Sequence, residues 1–387
     1  MTTSKPEHQL ALSTTRLLIR SMIAMVFCIG SALFAQAQNA QPNDANESWT
    51  ASTQTSVDNS NPARTTETHT KSGNRSVDKK RVEVLGPDGH YQPDSDTEKE
   101  TIQVNATTTH TVVRTYRWDA NGQRYLMQVT EEDARSSAGG ETHVERTTSN
   151  SDVNGNLQVV QRAVADTRQT SPDAQETKTT VYLGDGNGGL IPSLKTQELQ
   201  KRSMDHTVEV TDTTRVPDAN GNWEVSEVRE KTVKEDGKNR TSEERVLRPD
   251  LEGRLSEISR SVGKEAETAA GEKNNTVETY SQDIPGVAGD GDMHLRQRVT
   301  TVEKSDSGGT ITEQQYEQPT PGNPSDGLQV SAKTKYTVRY AYSGTQQKKD
   351  IQTRDASGNF KVVSIETEKS DLVPAELGQK ATSDKPK

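Results

Sequence analysis

The sequence has little of the material that usually builds a protein core. Only 28% of its 387 residues are hydrophobic and only 4% are aromatic, whereas soluble domains have about 45–50% apolar residues on a slightly broader count. This shortage excludes a deep globular core. It favours small units that each bury a few side chains against their neighbours, because such units need only a thin apolar stripe.

Cysteine is almost absent, since Cys28 is the only one in the chain. It lies in a short apolar run that two arginines precede and that Ala35-Gln36-Ala37 follows. A basic start, an apolar run and a small-x-small site form the pattern of a secretory signal peptide. We therefore predict that residues 1–37 are a signal peptide and that the mature chain is secreted, periplasmic or extracellular, without a disulfide. An uncleaved anchor is the alternative.

An excess of positive charge is also missing, because 57 acidic residues face 47 lysines and arginines. An acidic chain of mixed signs argues against nucleic acid and against anionic membrane surfaces as partners. The segments also lack the alternation of about ten residues that gives a membrane barrel its apolar outer band. The sequence thus predicts no transmembrane span in the mature chain.

What the chain does have is a regular rhythm of glycines. Five consecutive turn glycines are spaced 33 residues apart, a sixth follows after 32, and three more continue the series less regularly. These glycines are Gly89, Gly122, Gly155, Gly188, Gly221, Gly253, Gly291, Gly327 and Gly358. A fixed period in the range of 20–50 residues indicates a repeat architecture.

Most of these glycines end the motif Asp-x-x-Gly. The aspartates are Asp119, Asp152, Asp185, Asp218, Asp250 and Asp355, and Gly86-Pro87-Asp88-Gly89 is a variant. Aspartate at the first position and glycine at the fourth are typical of a type I turn that is followed by a left-handed residue. This is the three-residue loop of a β-hairpin with a bulge. Each repeat is therefore predicted to carry one hairpin.

Apolar residues keep step with the turns. Two residues after the glycine stand Tyr91, Leu157, Leu190, Trp223, Leu255 and Phe360. We predict an all-β fold, an elongated antiparallel β-meander of about 16–18 strands built from hairpin repeats over residues 79–369. Residues 38–78 are predicted to be a polar, mostly disordered linker with a degenerate repeat, and residues 370–387 a disordered tail.

The search for chemistry finds no catalytic residue and no cofactor or metal site. Asp185-Gly186-Asn187-Gly188 resembles a fragment of a calcium loop, but the further acidic ligands of such a loop are missing. His110 and His143 lie one repeat apart without a third ligand. Trp118, just before a turn, is a candidate ligand-face aromatic residue, whereas Trp223 falls in the apolar column.

These observations predict an exported, non-enzymatic β-repeat protein with a structural or interaction role in the bacterial envelope. Its partner is unknown, with an envelope protein or a polysaccharide as the expected classes. One alternative is a carbohydrate- or cell-wall-binding module that uses the long sheet face or the expanded loops at residues 282–292 and 318–327. Another is a secreted enzyme with catalytic groups in those loops. An open meander has two edge strands, which are either capped by the polar ends of the chain or paired with another copy or with a partner.

Overall fold

The structure is a computed structural model that describes residues 47–57, residues 62–282 except 120, 138 and 269, and residues 293–373 except 307, 321–322, 342–343 and 356. The predicted signal peptide and most of the predicted C-terminal tail lie outside these residues. Within them all regular structure is β, and no helix that is long and apolar enough to cross a membrane occurs.

Twenty antiparallel strands follow one another along the chain. They are β1 (Glu47–Val57), β2 (Ala63–Ser72), β3 (Arg75–Leu85), β4 (Tyr91–Asn105), β5 (Thr108–Trp118), β6 (Arg124–Ser136), β7 (Thr142–Ser151), β8 (Leu157–Ser171), β9 (Ala174–Gly184), β10 (Leu190–Arg202), β11 (Thr207–Pro217), β12 (Trp223–Asp236), β13 (Asn239–Pro249), β14 (Leu255–Glu267), β15 (Lys273–Ser281), β16 (His294–Asp306), β17 (Gly309–Thr320), β18 (Asn323–Ala341), β19 (Gly344–Arg354) and β20 (Phe360–Val373). The predicted all-β antiparallel meander of hairpin repeats is confirmed.

The sheet closes on itself, which the sequence did not determine. Every strand pairs with the next one, and β1 also pairs with β20 in a continuous antiparallel register from Thr50↔Val373 to Val57↔Glu366. The result is a twenty-stranded barrel whose wall contains all the described strands. Because neither β1 nor β20 is an edge, none of the three alternatives for the edge strands applies: the backbone groups of both strands already have partners on each side.

Closure uses a segment that the sequence analysis assigned to a linker. Residues 47–57 and 63–72 form β1 and β2, so the predicted disorder of residues 38–78 is wrong over these strands. Both segments are rich in Thr and Ser and poor in apolar residues, and β-branched threonine is a good strand residue whose ladder hydrogen bonds need no apolar stripe. At the other terminus, β20 continues to Val373, three residues past the start of the predicted tail.

The Asp-x-x-Gly motifs form the predicted hairpin turns. In the turn at Asp152 the amide of Gly155 donates to the Asp152 carbonyl (3.0 Å), and the amide of Asp152 donates to the Asn156 carbonyl (2.8 Å). Gly155 has a φ of 82°, and nothing lies within 4 Å of the position that a Cβ would take. Glycine is therefore required here for its left-handed backbone and not for space.

A second periodic feature accompanies the turns. Seven hairpins end in Asp-x-x-Gly turns or in the Gly86–Gly89 variant, and in each of them the strand register shifts by one residue, five positions after the turn glycine. The β15–β16 and β17–β18 pairs carry a shift of the same kind. Examples are the shifts between Thr115 and Tyr116 and between Thr214 and Arg215. A β-bulge increases the right-handed twist and bends its strand. A ring of bulges near one end thus supplies curvature of the kind that a sheet needs to close.

The barrel wall is one residue layer thick and has two faces. We call the face that carries the opposed residues Glu100, Val112 and Glu131 the first face, and the other the second face. The buried apolar side chains among the described residues are Val112, Val129, Val228, Val233 and Ile258. No described side chain is fully buried, so the backbone ladder carries much of the stability.

Candidate functional site

The carboxylates of the turn aspartates accept hydrogen bonds from backbone amides of their own loops. The Asp119 Oδ1 accepts the backbone amides of Gln123 (2.8 Å) and Asn121 (2.8 Å). The same pair of bonds recurs at Asp152, Asp185, Asp218, Asp250 and Asp355. The amide four positions on is the main cause that lowers the pKa of the Asp119 and Asp152 carboxyls. These carboxylates therefore cap the turns.

The end of the barrel that carries the Asp-x-x-Gly turns also carries an apolar ring. On the first face it includes the predicted column after the glycines, with Leu157 and Leu255 each 47% exposed. The second face contributes as well, because Tyr125 and Ile191 remain exposed there. The sequence analysis found the first-face part of this ring from its spacing. The second-face part gives no such column: Tyr125 and Ile191 each stand three residues after a turn glycine, but other repeats have polar residues there, as at Gln158 and Glu224.

The two tryptophans assigned different roles occupy equivalent places. Trp118 and Trp223 both lie on the first face beside a turn, where they oppose Arg124 and Pro217. Guanidinium carbons of Arg81 and Arg124 lie 5.7 and 5.8 Å from the Trp118 ring, and the Lys195 ammonium lies 4.3 Å from the Trp223 ring. Both rings are thus partly covered by cations at cation–π distance.

The rest of the first face is lined by ion pairs that run across strands. Asp96, with a side chain 8% exposed, pairs with Arg81 (3.0 Å) and Arg124 (3.2 Å), and Arg124 continues to Glu98 (2.8 Å). Glu176 similarly accepts from Arg168, Lys178 and Gln197. Such networks fix charged side chains along the sheet, although isolated exposed pairs contribute little to stability.

The second face is rich in threonine and is also charged. Glu227 accepts from Arg229 (2.7 Å) and Arg248 (2.7 Å). Glu198 and Asp212 oppose each other on neighbouring strands, and the Asp212 Oδ1 is buried without a hydrogen-bond partner among the described residues. Because both faces are polar, the space inside the barrel is lined by polar side chains whichever face turns inward.

The other candidates of the sequence analysis do not form a ligand cluster. His110 contacts Asp133 (2.9 Å) and His143 contacts Asp166 (2.6 Å). Each histidine therefore pairs with an aspartate of the neighbouring strand, and these two contacts do not join the histidines to each other. The Asp185 carboxylate accepts the amides of its own turn. In the described part of the chain no group of three or more His, Cys, Asp or Glu side chains is placed to hold a metal ion.

No family model matches the chain, and no curated protein matches its sequence. Solved structures with a similar strand layout are outer-membrane proteins. The outer membrane protein OpdK of Pseudomonas aeruginosa is 9% identical, with a TM-score of 0.41 over 84% of this chain and 99% of that one. The alcaligin outer-membrane receptor FauA of Bordetella pertussis is 9% identical, with a TM-score of 0.41 over 86% and 77%. The FrpB iron transporter of Neisseria meningitidis is 8% identical, with a TM-score of 0.40 over 86% and 75%. At this identity the likeness concerns the fold alone.

These findings correct the functional expectations. The predicted role of a secreted or periplasmic structural protein with no membrane span is wrong: the chain closes into a barrel, and the similar structures are an outer membrane protein, an iron transporter and an outer-membrane receptor. The carbohydrate- or cell-wall-binding alternative relied on a long sheet face or on the expanded loops, of which residues 283–292 and 321–322 lie outside the described residues. Its candidate aromatic residue, Trp118, is partly covered by arginines. An exported envelope protein is the part of the location prediction with which these structures agree.

Proposed function

We propose that the protein is a barrel-forming channel of the bacterial outer membrane that lets small polar solutes pass. The observation that carries this proposal is the pairing of β1 with β20, which encloses a space inside a wall that is polar on both faces. Barrels of about 16–18 strands already leave a water-filled channel. Twenty strands support a lumen of at least that width. The absence of enzymatic activity stays a prediction.

Neighbouring threonines in the middle of β16 offer a test of passage through the lumen. Thr300 opposes Thr276 and lies on the first face, whereas Thr301 opposes Asn275 and lies on the second. The predicted mature chain contains no cysteine. Thr300→Cys and Thr301→Cys variants can therefore be labelled one at a time with a charged thiol reagent, and each serves as the matched control of the other.

The measurement is single-channel conductance of the full exported protein in planar bilayers, before and after labelling. We expect ion conductance, and we expect the label to change it at one of the two positions only, because adjacent side chains of a strand point to opposite faces. Vesicles that contain the protein should also release small sugars and retain large dextrans. Absence of conductance, or a conductance that neither label alters, would overturn the proposal.

A further inference from the structure

Exposed apolar side chains are concentrated at one end of the barrel. Among the described residues fifteen large hydrophobic side chains are exposed, and only Val104, Met204 and Tyr340 lie at or near the end opposite the Asp-x-x-Gly turns. The other twelve lie in the turns or within five residues of them; they are Tyr125, Met127, Val153, Leu157, Val159, Leu183, Ile191, Val216, Leu251, Leu255, Val362 and Val363. A contiguous exposed apolar set of this kind marks an interaction surface.

The turn tips belong to this surface. Val153 and Leu251 occupy the second position of their turns, and they are 101% and 99% exposed. Pro87 and Ala219 hold the same position in other turns. The carboxylates beside them are turned back onto the loop amides, and the Asp250 side chain is only 2% exposed. The tips therefore present apolar side chains at the very end of the barrel.

Cations border the ring on its side away from the tips. The Lys195 ammonium lies 4.3 Å from the Trp223 ring, the Lys333 ammonium lies 4.6 Å from the Phe360 ring, and the Arg64 guanidinium lies 4.9 Å from the Tyr91 ring. Aromatic rings followed by lysine and arginine are the composition of proteins at the water–lipid interface, where the rings sit at headgroup level and the cations meet phosphates.

We propose that the Asp-x-x-Gly end of the barrel docks onto a lipid bilayer surface. This inference rests on the proposed channel function and names the end that meets the membrane. The exposed apolar residues follow an arc of the rim from β6 to β14 and recur on β20, and a flat lipid surface can cover such an arc whatever the diameter of the barrel. From the tips to the bulges it spans about five residues, or roughly 15 Å, which is close to the depth of one leaflet of a hydrocarbon core about 30 Å thick.

Two pairs of exposed residues at opposite ends provide the test. Val153→Asp with Leu251→Asp adds two charges to the docking end, and Val104→Asp with Met204→Asp adds two charges to the other end. Leu251 and Met204 are matched, because they are 99% and 100% exposed. Both double variants should fold, which far-ultraviolet circular dichroism checks, since none of the four side chains is buried.

The measurement is co-flotation of the full exported protein with phosphatidylcholine vesicles, with and without phosphatidylglycerol. We expect the Val153/Leu251 variant to bind at least about tenfold more weakly, because two apolar anchors are lost, and the Val104/Met204 variant to bind as the parent does. Brominated lipids should quench tryptophan fluorescence, and this quenching should fall when Trp118 and Trp223 are both replaced by Phe.

Equal binding of both variants, or a larger loss in the Val104/Met204 variant, would overturn the inference. An end-to-end dimer in light scattering that the Val153/Leu251 variant abolishes, without vesicle binding, would assign this end to a second copy and overturn it as well. The outcome is separable from channel function. Flotation without solute release refutes the channel and leaves the docking end standing, whereas release that the tip variant does not affect refutes the docking end alone.

Discussion

The two ends of the barrel are built from the same strands by different means. At one end the turns repeat a single motif, each is followed by a bulge, and the exposed side chains are apolar. At the other end the turns differ from one another and carry charges, as in the Lys234–Asp205 and Lys238–Glu267 pairs. Only the turns of one end therefore recur as a sequence motif, which indicates that the structure of this end restricts the amino-acid sequence more strongly.

Gly309 at the variable end and the turn glycine Gly155 at the repeated end are required for different reasons, and the largest expected effect tests this difference. At the variable end Gly309 has a φ of 154°, and a Cβ at this position would overlap the backbone carbonyl of Val338 on the neighbouring strand. Gly309→Ala must separate β17 from β18 locally. We expect a loss of about 3 kcal/mol or more in the free energy of unfolding, measured by urea denaturation. A loss below about 1 kcal/mol would show that the strands can separate at little cost.

The turn glycine Gly155 is needed for its conformation alone, which predicts a smaller effect. Gly155→Ala should cost about 1–2 kcal/mol, because a left-handed backbone disfavours any side chain while the site itself is open. Gly139 is the control at the other end: its φ is not positive, and a Cβ would meet only the Ser137 hydroxyl at 3.7 Å. Gly139→Ala should be nearly neutral. Equal losses for the two variants in urea denaturation would contradict the comparison.

The smallest expected effect is the response of the repeated turns to acid. Backbone amides lower the pKa of Asp119, Asp152, Asp218 and Asp355 in the folded state. Their contribution to stability is therefore complete above the unfolded pKa of about 3.9. It is lost as the pH falls through the lower folded pKa. The urea concentration at the unfolding midpoint of the parent should therefore fall when the pH is lowered below about 4.

A variant with asparagine at these four positions keeps an acceptor oxygen in each turn but cannot be protonated in this range. Its urea midpoint should depend less on pH between about 5 and 2 than that of the parent. Identical pH profiles of the two proteins would show that other carboxylates dominate the acid response, and that the turn aspartates at this end contribute only through their shape.

The sequence by itself determined the local part of this protein. The turn at Asp152 needs only the residues from Asp152 to Asn156, whose side chain and backbone bond to each other, and the strands follow from β-branched residues between such turns. For this reason the meander, the turn positions and the first-face apolar column could all be predicted, together with the place of Trp223 in that column.

Only the tertiary structure decided the closure and its consequences. Whether β1 pairs with β20 depends on the twist and the bulges accumulated over every strand between them. The local sequence near Thr50 or Val373 therefore does not predict this pairing. The same applies to the pairing of residues that are distant in sequence, such as Asp96 with Arg124. A repeat fixes the shape of its unit, but the number of units and their accumulated curvature turn an open sheet into a barrel.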